Sequence, residues 1–252
     1  MEKICIRNEE KELRTYINIP PSATHLLIIC HGFRGSKENG GRVFDFTSRL
    51  GYAGFGVLAF DFSGSGESSG DFADVTLSRQ AEDLKLVLNY VKENISLPAV
   101  LLGRSFGGTT VLAGGTGEDI VKGFILWSTP VFLHSTFSQI MPKEYKKLKA
   151  GVRVKLRDEG GSFELNPYLV EDFDSHNIAE YIGNIGDRPV LIIHGGKDEI
   201  VSVKNAYYMA EKIPLCTLKI FPNADHKFIY CYREREDYTI EWLKKKFEAL
   251  WE

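Results

Sequence analysis

Three residues far apart in the chain have the side chains needed for a single proton relay: Ser105, Asp198 and His226. Ser105 sits in "LLGRSFGGTT" (101–110), where an apolar run ends and a run of small residues begins. Gly103-Arg104-Ser105-Phe106-Gly107 has the form G-x-S-x-G, and Gly108 extends it. This form suits a nucleophile on a sharp strand-to-helix bend. Residues two before and two after the serine must be small if strand and helix are to approach closely. The following helix adds partial positive charge near the hydroxyl. Taken alone the pentapeptide is a weak signal in a chain with 24 glycines, because Gly and Ser also mark ordinary turns.

Its weight comes from the other two residues. A serine hydroxyl is a poor nucleophile until a base takes its proton, and the base needs a carboxylate to orient it. With a nucleophile on such a bend, the acid and the histidine follow in that order, each just past a strand. "PVLIIHGGKDEIV" places Asp198 shortly after one apolar run, and "CTLKIFPNADHKF" places His226 after the next. Glu199 is the weaker rival for the acid, and Asp225 is a carboxylate easily mistaken for it. Each of these residues also has an ordinary reading as a cap or turn residue; the joint order and placement favour the relay.

Acyl transfer further needs two preorganised N–H donors for the oxyanion. The backbone N–H of Phe106 is one candidate. The other comes from the loop "HGFRGS" (31–36), where Phe33 is the expected donor. His31 is expected to hydrogen-bond its own loop, and Arg104 to lie beneath the bend in an ion pair.

Elements that could position these residues alternate along the chain. "KICIRN" and "ELRTYINIP" have period-two patterning around "EEK", as in an antiparallel hairpin. "HLLIICHG", "FGVLAFDF", "AVLLG", "GFILWS", "PVLIIHG" and "CTLKIF" read as buried strands. A helix is expected around 40–50. In "TLSRQAEDLKLVLNYVKEN", Ala81, Leu84, Leu88 and Val91 share one helical face and Thr76 is the expected N-cap. "EDYTIEWLKKKFEALW" reads as a closing amphipathic helix. Such β-α alternation implies an open, mostly parallel sheet with helices on both faces, and ligand sites beyond the carboxyl ends of its strands. About sixty residues separate "GFILWS" from "PVLIIHG", where a crossover needs only about a dozen. Within them "GVRVKLRDEGGSFELNP" reads as a hairpin turning at Gly160 and Gly161, and the whole interval as a lid or binding loop.

Composition narrows the classes. With 252 residues, 43% hydrophobic and 26% charged, the chain can bury a substantial core. A net charge of −3 gives no global field for nucleic acid, and the basic stretch 143–157 reads as a solvated face. The first residues are too charged for a signal peptide core, and no apolar run reaches membrane-span length. Cys5, Cys30, Cys216 and Cys231 show no framework spacing, so the expectation is reduced thiols in a cytoplasmic protein. The six histidines show no paired-ligand spacing, so no metal is expected. The glycines of "DFSGSGESSG" are spaced one residue too long for a dinucleotide fingerprint, and no nucleotide or other cofactor is implied.

Together, "HGF", "DFSGSGES", "GRSFGG", "HGGKDEIV" and "ADHKF" resemble the α/β-hydrolase superfamily. More narrowly, the chain is similar to the bacterial carboxylesterase branch, which includes feruloyl (cinnamoyl) esterases and serine-aminopeptidase-like proteins. The likeness covers nearly the whole chain and is weakest in the long interval. It implies an α/β-hydrolase fold, with a mostly parallel eight-stranded sheet and a small lid inserted after the sixth strand. The core would be residues 1–130 and 186–252, and the lid 131–185. It gives Ser105, Asp198 and His226 the nucleophile, acid and base roles, and makes the 61–70 loop a neighbour of the bend. Arg104 is a departure, since many relatives carry His, Glu or another residue there.

The implied activity is hydrolysis of a small-molecule carboxylic ester, with a feruloyl preference extrapolated from the resemblance. Phe132, Phe137, Phe163, Tyr168 and Phe173 could line an aromatic acyl pocket or form the lid's own core. Thioester, carbon–carbon or aminopeptidase chemistry on the same residues are alternatives; for the last, Glu171, Asp172 and Asp174 could grip an ammonium. A ligand-binding protein with a vestigial site is a third reading. Dehalogenase and epoxide hydrolase chemistry would need a carboxylate nucleophile where this chain has serine.

Overall fold

The computed structural model describes residues 1–158 and 160–247. The strand β1 (Glu2–Arg7) pairs antiparallel with β2 (Glu12–Asn18), which buries Leu13 and Thr15 and sets Arg14 outward, as the alternation requires. Four strands, β3 (His25–Cys30), β4 (Phe55–Phe60), β5 (Ala99–Arg104) and β6 (Val121–Trp127), then follow in parallel. A separate hairpin, β7 (Val154–Asp158) and β8 (Gly161–Leu165), interrupts the series before β9 (Val190–Gly195) and β10 (Cys216–Phe221) complete it. The result is an eight-stranded sheet in the order β1-β2-β4-β3-β5-β6-β9-β10, antiparallel only where β2 meets β1 and β4.

Continuous apolar runs belong to strands covered on both faces. On β5, Ala99 and Leu101 join one buried cluster, while Val100 and Leu102 join another across the sheet. The first face carries α2 (Leu77–Asn94), α3 (Phe106–Gly115) and α8 (Lys204–Lys212), through Leu84, Leu88, Val111, Leu112 and Met209. The second carries α1 (Arg42–Tyr52) and α9 (Tyr232–Phe247), through Phe46, Leu50, Trp242 and Leu243. Thr76 caps α2: its Oγ1 accepts the Arg79 N–H at 3.1 Å. The end of the closing helix expected from sequence, 248–251, lies outside the described residues. No helix among the described residues is long and apolar enough to cross a membrane.

Between β6 and β9 the chain forms α4 (Leu133–Ile140), α5 (Pro142–Lys149), the β7–β8 hairpin, α6 (Tyr168–Asp172) and α7 (Ile178–Gly183). These elements share a third apolar cluster, in which Phe137, Leu148, Leu165, Leu169 and Phe173 pack with Phe106 at the start of α3. The interval is thus anchored directly over the residue that follows Ser105. From β3 the chain leaves toward α1 on one face, and from β5 toward α3 on the other. The loops after these adjacent strands therefore diverge at the carboxyl edge of the sheet, where open α/β sheets form their crevices.

Candidate active site

Ser105 stands between β5 and α3 with φ 52° and ψ −127°, a left-handed backbone that a side-chain-bearing residue adopts only at a cost of about 1–3 kcal/mol. The bend is held by the Ser105 N–H donating to Trp127 O and the Gly108 N–H donating to Ser105 O, both at 2.7 Å. Close backbone approach explains the flanking glycines. A methyl on Gly107 would lie 2.3 Å from His31 O and 2.4 Å from Cys30 O; one on Gly103 would lie 2.4 Å from Gly107 O. These atoms belong to the end of β3, the loop after it and α3, so none can move without shifting one of those backbones. Gly107→Ala is therefore expected to destabilise the protein by about 3 kcal/mol, measured by urea unfolding.

The loops after β9 and β10 bring in the other two residues. Asp198 is fully buried, and its Oδ1 accepts the N–H groups of Ile200 at 3.0 Å and Val201 at 2.8 Å. His226 Nδ1 donates to Asp198 Oδ2 at 2.8 Å, which leaves Nε2 to accept from the Ser105 hydroxyl at 3.2 Å. Burial alone would push the Asp198 carboxyl up. Hydrogen bonds from His194 and His226, the field of His226 and the Val201 N–H outweigh it and hold the group well below the usual carboxylate range. The rivals are engaged elsewhere: Glu199 accepts the His226 backbone N–H at 3.4 Å, and Asp225 Oδ1 accepts the Ile229 N–H at 3.0 Å.

The loop after β3 runs against the bend, close enough that a methyl on Gly32 would lie 3.1 Å from Ser105 Cβ. Phe33, Arg34, Ser105, Asp158 and His226 line a common cleft of about 440 Å³. Among the described residues, neither the Phe33 nor the Phe106 N–H donates to a protein acceptor. Phe106 opens α3, where the first N–H groups have no partner within the helix. His31 is spent on structure: Nδ1 donates to Gly32 O at 2.9 Å, and Nε2 accepts the Phe62 N–H at 3.1 Å. Through that bond the 61–70 loop packs against the β3 loop, which in turn runs against the bend.

Three expectations need correction. Arg104 has no carboxylate partner within ion-pair distance among the described residues; it donates to Asn39 Oδ1 at 2.6 Å. Phe132 and Tyr168 do not line the cleft. Phe132 points away and packs edge-to-face on Tyr208, while Tyr168 opens α6 with its ring in solvent. Phe137 and Phe163 do not line the cleft either: their rings lie 5.5 Å and 6.3 Å from that of Phe33, Phe137 buried and Phe163 half-buried beneath the Arg34 guanidinium, so Phe33 presents the aromatic wall and they back it. Phe173 is buried against Phe137 and Phe106.

One residue passed over in the sequence is His194, fully buried at the end of β9. Its Nε2 lies 2.8 Å from Val201 O and 3.3 Å from Asp198 Oδ2, and its Nδ1 has no partner. The carbonyl requires a proton on Nε2, so the same N–H also faces Asp198 Oδ2, the oxygen that His226 Nδ1 contacts. The pattern His-x-x-x-Asp across a strand end was the available signal.

Residues 21–181 match the family model described as serine aminopeptidase, S33. A monoacylglycerol lipase of Mycolicibacterium smegmatis is 25% identical over an alignment of 231 residues that covers 80% of this chain and 81% of the lipase. The human mitochondrial palmitoyl-protein thioesterase ABHD10 is 25% identical over an alignment of 219 residues that covers 82% of this chain and 68% of that protein. Among solved structures, Est1E from Butyrivibrio proteoclasticus with bound ferulic acid superposes with a TM-score of 0.82. It is 22% identical, over 98% of this chain and all of that one, a likeness of fold. The chain thus belongs to the serine aminopeptidase S33 family and has the α/β-hydrolase fold.

Proposed function

We propose that the protein hydrolyses carboxylic esters through a covalent acyl-enzyme. The observation that carries this reading is the unbroken relay from Asp198 Oδ2 through the His226 ring to Ser105 Oγ, with hydrogen bonds of 2.8 Å and 3.2 Å, at the floor of an open cleft. Ser105 Oγ attacks the ester carbonyl while His226 Nε2 takes its proton. The carbonyl oxygen becomes an oxyanion facing the unpaired N–H groups of Phe33 and Phe106. Collapse breaks the bond to the leaving oxygen, which receives the proton from His226. Water repeats the sequence on the acyl-serine and releases the acid. Asp198 stays ionised throughout and stabilises the imidazolium.

The aromatic wall of Phe33, backed by Phe72, Phe106, Phe137 and Phe163, favours an apolar or aromatic acyl group. Aminopeptidase chemistry is less well supported, because Asp172 and Asp174, two of the three carboxylates that could grip an ammonium, are otherwise engaged. Asp172 accepts from Ser78 and pairs with His176, Asp174 pairs with His134 and Lys149, and the cleft's Asp158 is held by Arg34 at 3.1 Å. Turnover of aryl esters, an acyl thioester and an amino-acid anilide should be compared at equal concentration. Ester turnover at least tenfold above both others supports the reading, and anilide turnover as the fastest overturns it.

His194 also enters the mechanism as a positioning residue. His194→Phe removes the donor behind Asp198 and should lower kcat for an aryl ester about tenfold, the scale of one hydrogen bond to a charged group. KM should stay nearly constant, since nothing that touches substrate has changed; a fall in thermal stability with kcat intact would make the residue merely structural.

A further inference from the structure

Behind the bend lies a second cavity, of about 280 Å³, on the face of the sheet covered by α1 and α9. Strand alternation puts Arg104 there, on the same side as Leu102, and both line it. So does the N-terminus of α1, reached through "NGGR" (39–42), where Asn39, Gly40 and Gly41 all have positive φ: 47°, 65° and 84°. Gly41 occupies the N-cap and offers no side-chain cap to the helix. The first N–H groups of α1 make only long bonds, Arg42 to Asn39 O at 3.4 Å and Val43 to Glu38 O at 3.3 Å. The positive end of an 11-residue helix is therefore weakly satisfied where it meets the cavity.

The side chains add to that charge. Arg42 and Arg104 both line the cavity, and Arg235 stacks on its Trp127 wall with the guanidinium carbon 3.8 Å from the ring centroid. Among the described residues none of these three arginines has a carboxylate within ion-pair distance. Two buried donors are unpartnered: the Nε1–H of Trp127, a residue 3% exposed that lines the cavity, and the Nε–H of Arg235, which is 1% exposed. Burial first, then the charges of Arg104 and Arg42 against the opposing pull of Glu236, press the Arg235 guanidinium below its usual range. The other ionic groups on the cavity wall are already matched, Arg34 with Asp158 at 3.1 Å, Lys37 with Asp61 at 2.6 Å and Glu236 with Arg49.

We propose that this cavity is an anion site, taking a small oxyanion, a carboxylate or a phosphate, on Arg42, Arg104 and the α1 N-terminus. Helix ends with glycine approaches and flanking guanidinium groups are suited to such a ligand. The cavity shares Gly32, Arg34, Gly35 and Arg104 with the Ser105 cleft, so the anion could be a substituent of the ester substrate as well as a free ion. The site stands on its own geometry and does not depend on the hydrolase reading.

Inorganic phosphate and acetate are the probes, titrated calorimetrically at fixed ionic strength into the whole chain. Saturable binding of at least one of them is expected, weakened at least tenfold in both Arg104→Gln and Arg42→Gln. The half-buried, surface-reaching Arg42 makes its variant the less disruptive to folding, and unchanged far-UV circular dichroism verifies both. Ser105→Ala should bind like the parent, which separates this site from the catalytic proposal. No saturable binding by either probe, or equal binding in the arginine variants, overturns the proposal. Kinetics then distinguish the two sources of the anion. Competitive inhibition by phosphate against p-nitrophenyl hemisuccinate, absent against p-nitrophenyl butyrate, identifies the substrate's own anion. Saturable phosphate binding without such competition identifies a free ion.

Discussion

Ser105→Ala is expected to lower kcat for a p-nitrophenyl ester by about 10⁴- to 10⁶-fold, the range seen when the nucleophile of such a relay is removed. The size of the effect follows from the chemistry. Without the hydroxyl no acyl-enzyme forms, and only binding and the Phe33 and Phe106 N–H groups remain to favour attack by water. Folding should be little affected. Alanine meets the same positive φ as serine, and the lost bond to His226 is a single one at 3.2 Å. Thermal melts of the two proteins should therefore nearly coincide while activity differs by orders of magnitude.

Asp198→Asn is expected to cost about 10⁴-fold in kcat. The asparagine side chain can present its NH₂ group to His226 Nδ1, which forces the proton to Nε2, where it faces Ser105 and cannot serve as a base. The same variant should change stability against pH. Because the folded protein holds Asp198 below its ordinary value of 3.8, its ionisation contributes stability above that pH, and the contribution is lost as pH falls below it. In Asp198→Asn that part of the acid-side loss is missing. Melting temperatures measured on acidification below about pH 4 should therefore fall less steeply than in the parent.

What could be read from the sequence divides along physical lines. The positions of Ser105, Asp198 and His226 were legible because each follows an apolar run whose strand can have only one place in such a sheet. The glycines around Ser105 also report a backbone contact that tolerates no Cβ. The hairpin at Gly160 and Gly161 was legible from turn chemistry, and the capping of α2 from Thr76. Side-chain direction within the interval between β6 and β9 was not. Its short helices have no strict two-residue alternation to divide inward from outward, so Tyr168 faces solvent and Phe132 turns to Tyr208. Partners across long sequence distances were equally hidden. Arg104 meets Asn39 from the loop after β3, and the cluster with Arg42 and Arg235 joins three segments that share no local pattern.

The relay itself is tested most directly by reaction with a fluorophosphonate, followed by peptide mass mapping. The hydrogen-bonded set predicts one phosphonylated residue, Ser105, with labelling strongly slowed in His226→Ala and absent in Ser105→Ala. A parent protein that hydrolyses esters but leaves Ser105 unmodified, or labels as fast without His226, would contradict it.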